Sequence, residues 1–344
     1  MTIAFYAPLK PPSHPTPSGD RRMARLLMKA LDRAGYPVFL ASDWRTYDGK
    51  GLADTQREML HKAAWEVDRI VKLFANRPPA LWFTYHCYYK APDLIGPKVA
   101  AHFGIPYVIA EASRAKKRLT GPWQDFAQAA ESAIDAANTL FAMTAHDRFA
   151  LDRDRVADQK VIDLPPFLDL ADFTAPTPKE PGDTLKLLTV AMMRPGAKME
   201  SYRRLAFALP HLTRRYDLTI VGDGEAYSDV EALFPNATFK GALDAEALRR
   251  EYAAADVFVW PGFEEAYGMV YLEAQASGLP VIAEDHPGPR SVIAAPLVPA
   301  GDPAAFAAAI EGQHSDPRSF IVDHHSIDRA AAILRDALGP LRCA

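Results

Sequence analysis

The sequence predicts an α/β protein built as two Rossmann-like, doubly wound parallel-sheet domains facing a central cleft. Three observations carry this. Short β-rich runs alternate with longer helical patterns through the 344 residues. The β-rich runs are continuously apolar, as strands covered on both faces must be. A segment rich in Pro and Asp, residues 164–183 (LPPFLDLADFTAPTPKEPGD), divides the alternation into two sets.

In the first set, residues 2–6 read as a buried strand, and after a Pro-rich loop residues 21–34 have amphipathic helix spacing. Residues 37–41, 81–85, 106–110 and 139–143 read as further strands. The second set opens with a strand at 186–191, a helix near 202–213 and a strand at 217–221. A strand at 238–239, a helix at 245–254, a strand at 257–260, a helix near 267–277 and a strand at 280–283 complete it. The domains are thus expected at 1–165 and 184–320, with a linker at 166–183 and a final segment at 321–344. Ligands of such sheets bind at the carboxyl ends of the strands.

Composition narrows the function. A 49% hydrophobic share is enough for sizeable cores. A net charge of −4 gives no global reason to expect nucleic acid or an anionic membrane as partner. The two cysteines, Cys87 and Cys343, lie far apart and in no metal spacing, which fits a reducing compartment. The opening MTIAFYAPLK lacks the basic patch and long apolar stretch of a signal peptide. No apolar run approaches the ~18 residues of a membrane span. A cytoplasmic location is expected.

The most informative stretch is DVFVWPGFEEAYGMVYLEAQASGLPVIA, residues 256–283. A strand ends at Pro261, an acidic loop follows, and a helix begins near Tyr267. Glu265 lies just outside that helix and Glu273 inside it, roughly 12 Å away at the helical rise. The paired carboxylates of a retaining glycosidase lie about 5–5.5 Å apart, so these two suit opposite ends of a long polar ligand better. Between them, the amides around Gly268, Met269 and Val270 make an anion site at a helix start. Arg194 and Lys198 follow a buried strand, and a planar guanidinium with a point-charge ammonium suits a diphosphate.

This stretch resembles the glutamate-x7-glutamate signature of retaining family-4 glycosyltransferases of the GT-B fold (glycosyl transferases group 1). Other pieces follow in the family's order. LLTVAMMRPGAKM resembles the loop that carries the diphosphate-binding Arg and Lys, here Arg194 and Lys198. IVGDGE resembles the Gly-Asp-Gly turn, here Gly222, Asp223 and Gly224. FKGAL resembles the base-contacting loop, with Gly241, Ala242 and Leu243, and LVPAGDPAAFAAAI resembles a late Pro-x-Gly-Asp-Pro element. The N-terminal half matches more loosely: Ser18 and Gly19 stand where a Gly-Gly pair is usual. Glu111 ends a strand where many relatives place a sugar-contacting His, and Arg290 stands where a Glu is frequent.

The resemblance implies transfer of a sugar from a nucleotide-diphosphate donor, such as a UDP- or GDP-sugar, with retention of configuration. It implies that Glu265 contacts the donor sugar, that Glu273 holds the ribose, and that the last helix crosses back to the first domain. Glu111 is a further candidate catalytic residue, and His86 shares its position after a strand. No metal and no cofactor beyond the nucleotide sugar are expected, and the acceptor is expected to be a glycan or lipid-linked molecule. The basic run Arg114-Ala-Lys-Lys-Arg118 reads as a solvated face, with a weak peripheral membrane contact as the alternative.

Two look-alikes are set aside. Asp152-Arg-Asp154 spells a metal-binding triplet, but it lies in a helical pattern where residues two apart diverge. Gly222-Asp-Gly224 is half a dinucleotide fingerprint whose third glycine position is Tyr227. A sugar phosphorylase and a catalytically silent nucleotide-sugar binder stay open as rivals.

Overall fold

The computed structural model describes residues 1–16, 18–173 and 182–342. Residues 174–181 of the expected linker, and Cys343, lie outside them. The chain divides into two units, residues 1–165 with 327–344, and residues 166–326.

The first unit runs β1 (Ile3–Tyr6), α1 (Gly19–Arg33), β2 (Val38–Ser42), α2 (Ala53–Phe74), β3 (Leu81–Cys87) and α3 (Gly96–Phe103). It continues with β4 (Tyr107–Ala112), α4 (Gln124–Ala136), β5 (Thr139–Ala142), α5 (Ala145–Arg153) and β6 (Lys160–Asp163). The six strands form one sheet in the order β2-β1-β3-β4-β5-β6, every pair parallel. Each residue of β1, β4 and β5 is buried, so the continuous apolar runs are strands covered on both faces.

The second unit has a five-stranded parallel sheet in the order β11-β10-β7-β8-β9. Its elements are β7 (Thr184–Val190), α6 (Ala197–Ala208), β8 (Arg215–Val221), α7 (Tyr227–Leu233), β9 (Thr238–Phe239) and α8 (Ala245–Ala254). Then come β10 (Val257–Val259), α9 (Met269–Ala276), β11 (Val281–Ile282), α10 (Pro287–Arg290), α11 (Pro303–Glu311) and α12 (Arg318–His324).

The segment read as a linker starts as packed chain. Phe167 and Leu168 are buried. The Leu168 amide donates to the His325 carbonyl at 2.8 Å, and His325 Nδ1 lies 2.6 Å from the Pro166 carbonyl. Residues 166–173 thus belong to the second unit, because buried apolar side chains and a backbone bridge to Ser326 hold them there.

After α12 comes α13 (Ile327–Leu338), which belongs to the first unit and packs on α1. The apolar face of α1, Met23, Leu27 and Leu31 among it, is fully buried; each such side chain stabilises the unit by about 1.5–3 kcal/mol. Arg33 pairs with Asp328 at 2.7 Å along this seam. Among the described residues no helix is long and apolar enough to cross a membrane.

Each sheet reverses its winding at one point. In the first, β1 leads to β2 on one side, and the chain then crosses to β3 on the other. In the second, β7 leads to β8 and β9 before the chain returns to β10 on the opposite flank. The crevice outside the strand ends at such a switch point is where α/β sheets take ligands.

Candidate functional site

At the β7/β10 switch point the structure brings together two residues read separately from the sequence. Lys198, in the first turn of α6 after β7, ion-pairs with Glu265 in the loop after β10. The same Glu265 oxygen accepts from the Trp260 indole N–H at 3.0 Å. Trp260 is fully buried, is held edge-on by Tyr202 at 4.9 Å, and lies with its ring 5.6 Å from the Lys198 ammonium. A carboxylate so held is fixed in direction, and it fixes the ammonium beside it. Sequence reasoning passed over Trp260 as a strand residue; its place directly before the acidic loop was the available signal.

The backbone around this pair is shaped by glycines at two points. Gly268 starts α9 at φ 77, and a Cβ there would press into the Tyr271 ring. No side chain caps α9, so its first amides, at Met269 and Val270, carry the positive end of the helix. Helix α6 likewise starts on a glycine, Gly196, without a side-chain cap. Arg194 is exposed before it, with no side-chain partner among the described residues.

Gly222 and Gly224 have φ 146 and 150, and a Cβ on either would run into the backbone carbonyl of Ala191 or Met193. Their glycine character thus follows from close packing of two strand-end loops. Met193 donates to the Asp223 carbonyl at 2.9 Å, tying the turn to the loop that carries Arg194. The Gly222 amide donates to Gly241, whose loop with Ala242 and Leu243 is partly exposed.

Glu273 lies within α9, buried, and accepts from the Tyr252 hydroxyl at 3.1 Å. It therefore sits under the surface, against α8. Below the Glu265 loop, buried Glu284 accepts from Arg204 at 2.7 Å and lies 3.0 Å from His286 Nε2. Arg204 in turn lies over the Phe263 ring at 4.5 Å. This network braces the loop from beneath and left no mark that sequence reasoning picked up. Arg290 forms a surface pair with Asp285.

At the β1/β3 switch point of the first unit the chemistry is acidic. His86 and Glu111 end adjacent strands, between the paired positions Tyr85↔Ala110 and Cys87↔Ala112. Both take left-handed backbone, φ 62 and 58, a strain of about 1–3 kcal/mol each that clusters at functional sites. His86 Nδ1 lies 3.1 Å from Asp20 in the first turn of α1 and 3.8 Å from Glu111. For His86, burial is the largest influence and opposes the charge. Glu111, the Asp20 hydrogen bond and the Asp20 charge outweigh it and push the imidazole up to about 9. Burial pushes the Glu111 carboxyl up to about 7 against the pull of His86. Ser18, the N-cap of α1, uses its hydroxyl on the Arg21 amide at 3.2 Å, and Gly19 opens the helix.

Asp152 and Asp154 are each engaged in ion pairs. Asp152 pairs with Arg148 from within α5, and Asp154, at its end, pairs with Arg153 and Lys116.

Two parallel α/β units, each with one winding reversal, define a GT-B architecture. Among solved structures, Anabaena Alr3699/HepE in complex with UDP and glucose matches at a TM-score of 0.71 and 13% identity, over 99% of this chain and all of that one. Sucrose-phosphate synthase from Thermosynechococcus elongatus matches at 0.65 and 18%, over 99% and 96%.

Residues 184–316 match the family of glycosyl transferases group 1. A GDP-mannose-dependent alpha-mannosyltransferase of Mycolicibacterium smegmatis is 47% identical over 77 residues, 22% of this chain and 20% of that protein. A D-inositol 3-phosphate glycosyltransferase of Pseudarthrobacter chlorophenolicus is 28% identical over 306 residues, 80% of this chain and 71% of its own length. The chain thus spans about a fifth of the mannosyltransferase.

Proposed function

We propose that this protein transfers a sugar from a nucleoside-diphosphate donor to an acceptor hydroxyl, with retention of configuration and without a divalent metal. The observation that carries the reading is the Lys198–Glu265–Trp260 constellation at the β7/β10 switch point. It is flanked by the exposed Arg194 and the uncapped start of α9. Breaking the bond to the diphosphate leaves charge on its oxygens. Arg194, Lys198 and the α9 amides supply fixed positive potential for that charge, and such preorganised stabilisation commonly contributes most to catalysis. Glu265 holds Lys198 in place and offers a carboxylate near the donor sugar. In this reading Glu273 serves the ribose hydroxyls, with Tyr252 as the group it exchanges for them.

The match of residues 184–316 to glycosyl transferases group 1 supports glycosyl transfer, and the names of the relatives support a nucleotide sugar. The mannosyltransferase is named for GDP-mannose and the HepE structure for UDP and glucose, so the base is left to experiment. The acceptor we propose is a glycan or lipid-linked molecule bound on the first unit. We place the activity in the cytoplasm, with peripheral membrane contact resting on Lys116 and Lys117, the exposed cations of the basic run.

A thermal-shift screen against UDP-, GDP-, ADP- and TDP-sugars should raise Tm for one base class. NMR of the early product with that donor should show the donor's anomeric configuration. An inverted linkage would remove the retaining assignment, and phosphate-dependent disaccharide breakdown without nucleotide would replace it with phosphorolysis.

A further inference from the structure

Three loops at the carboxyl edge of the first sheet meet in an arrangement that the donor chemistry does not use. Tyr89, after β3, and Trp123, before α4, stand edge to face at 5.6 Å and 89°. Two cations converge on this one pair of rings. Lys90 Nζ lies 5.6 and 5.3 Å from the Tyr89 and Trp123 centroids, and Arg118 Cζ lies 5.2 and 5.3 Å from them.

Neither cation has a carboxylate or side-chain hydrogen-bond partner among the described residues. Their neighbours differ: Arg114 binds Glu131 and Asp135, both at 2.6 Å, and Lys116 binds Asp154 at 2.9 Å. Arg118 Nε is buried and without a hydrogen-bond partner among the described residues. Ring faces attract a cation without satisfying its N–H donors. Two like charges on the same two rings also repel each other. An anion between them would answer both problems.

The shelf is built beforehand. The Trp123 indole donates to the Asp48 carbonyl at 3.1 Å, and the Asp48 carboxylate gathers the amides of Lys50, Gly51 and Leu52. Gln56 donates to Asp48 at 2.7 Å and to the Pro122 carbonyl at 2.9 Å, joining the two loops. The aromatic contact continues from Tyr89 to Tyr88 at 5.4 Å and from Tyr88 to His86 at 4.8 Å. The shelf is therefore contiguous with the β1/β3 switch point.

We propose that Lys90 and Arg118 form an anion site for a phosphomonoester group carried by the acceptor. In calling the ligand an acceptor, the proposal rests on the glycosyl-transfer reading. A phosphomonoester brings about −1.5 to −2 charges at neutral pH, matching two cations. Its oxygens suit a planar guanidinium beside a point-charge ammonium. Two sources share this chemistry: a small phosphorylated sugar or polyol, and a lipid headgroup that ends in a phosphomonoester, as in phosphatidic acid.

The test titrates glucose 6-phosphate by 31P NMR line width into wild type, Lys90→Gln/Arg118→Gln and Arg194→Ala/Lys198→Ala. Binding should survive in the Arg194/Lys198 variant and weaken about tenfold or more in the Lys90/Arg118 variant. A purely structural role for the two cations would lower Tm and leave affinity alone; Arg118→Lys, which keeps the charge, should retain most of the binding. Cosedimentation with vesicles of phosphatidylcholine containing phosphatidic acid separates the sources: loss of vesicle binding in Lys90→Gln/Arg118→Gln alone assigns the site to a headgroup. Equal affinity of both double variants for glucose 6-phosphate, with unchanged vesicle binding, would overturn the proposal. Failure of the donor reading would show separately, as nucleoside diphosphate binding indifferent to Arg194→Ala.

Discussion

The two switch points share a topology and carry opposite chemistry. In the second unit, α6 and α9 both start on glycine without a side-chain cap, and an exposed arginine and a lysine stand at the start of α6. In the first unit, the corresponding helix α1 is capped by Ser18 and carries Asp20 in its first turn, next to a half-buried His86 and a buried Glu111. An open helix start flanked by cations attracts phosphate. A capped start carrying carboxylates repels phosphate and suits hydroxyls or a proton. The second-unit switch point therefore suits a phosphate group, and the first-unit one a hydroxyl or a proton.

The strongest way to break this contrast is at Glu265. Glu265→Gln keeps an acceptor for the Trp260 indole but removes the charge that holds Lys198. Turnover should fall on the order of 100-fold, while Glu273→Ala should mainly raise KM for the donor. Unchanged steady-state kinetics in both variants would dissolve the second-unit site.

Gly222→Ala probes the packing that carries the Arg194 loop. The left-handed φ and the collision with Ala191 should cost about 3 kcal/mol, read as a lower denaturation midpoint. An alanine accepted without loss would mean that the glycine turn does not brace this loop.

The first-unit cluster should show itself in pH dependence. The folded-state pKa of His86 lies above its unfolded value, so its contribution is complete below about 6.5 and is lost as pH rises through about 9. Glu111, raised by burial, has the same sign over a lower window, from its ordinary carboxylate range to about 7. Urea midpoints should therefore fall between pH 6.5 and 9, and less steeply in His86→Gln. Parallel curves for the two proteins would detach His86 from the acidic cluster.

The smallest effect is expected at Asp152 and Asp154. Both are committed to surface cations, so Asp152→Ala/Asp154→Ala should change the initial rate by less than about twofold. Loss of activity in that variant would point to a metal after all.

Much of the fold could be read because its strands are apolar on both faces, as in β1, β4 and β5. The edge strand β6 could not, since its residues are exposed or half-buried and carry no such pattern. Helix α2, the longest, buries only Gln56, Ala63 and Ile70, so its period is faint. Glu265 and Lys198 were visible as separate motif residues, but their pairing depends on β7 and β10 being neighbours across 67 residues of sequence. The positive φ of His86 and Glu111 could not be anticipated, because nothing in the residue types demands it. Asp20 reached His86 across 66 residues by the same long-range route.

The central claim is that the second unit holds a nucleoside diphosphate with fixed cations and no metal. Isothermal titration of UDP and GDP in excess EDTA tests it directly. We predict one-to-one binding of at least one nucleotide by the wild-type protein, unchanged on adding magnesium, and weakened by about 100-fold in Arg194→Ala/Lys198→Ala. Binding that appears only with magnesium or manganese, or that survives the double substitution intact, would contradict it.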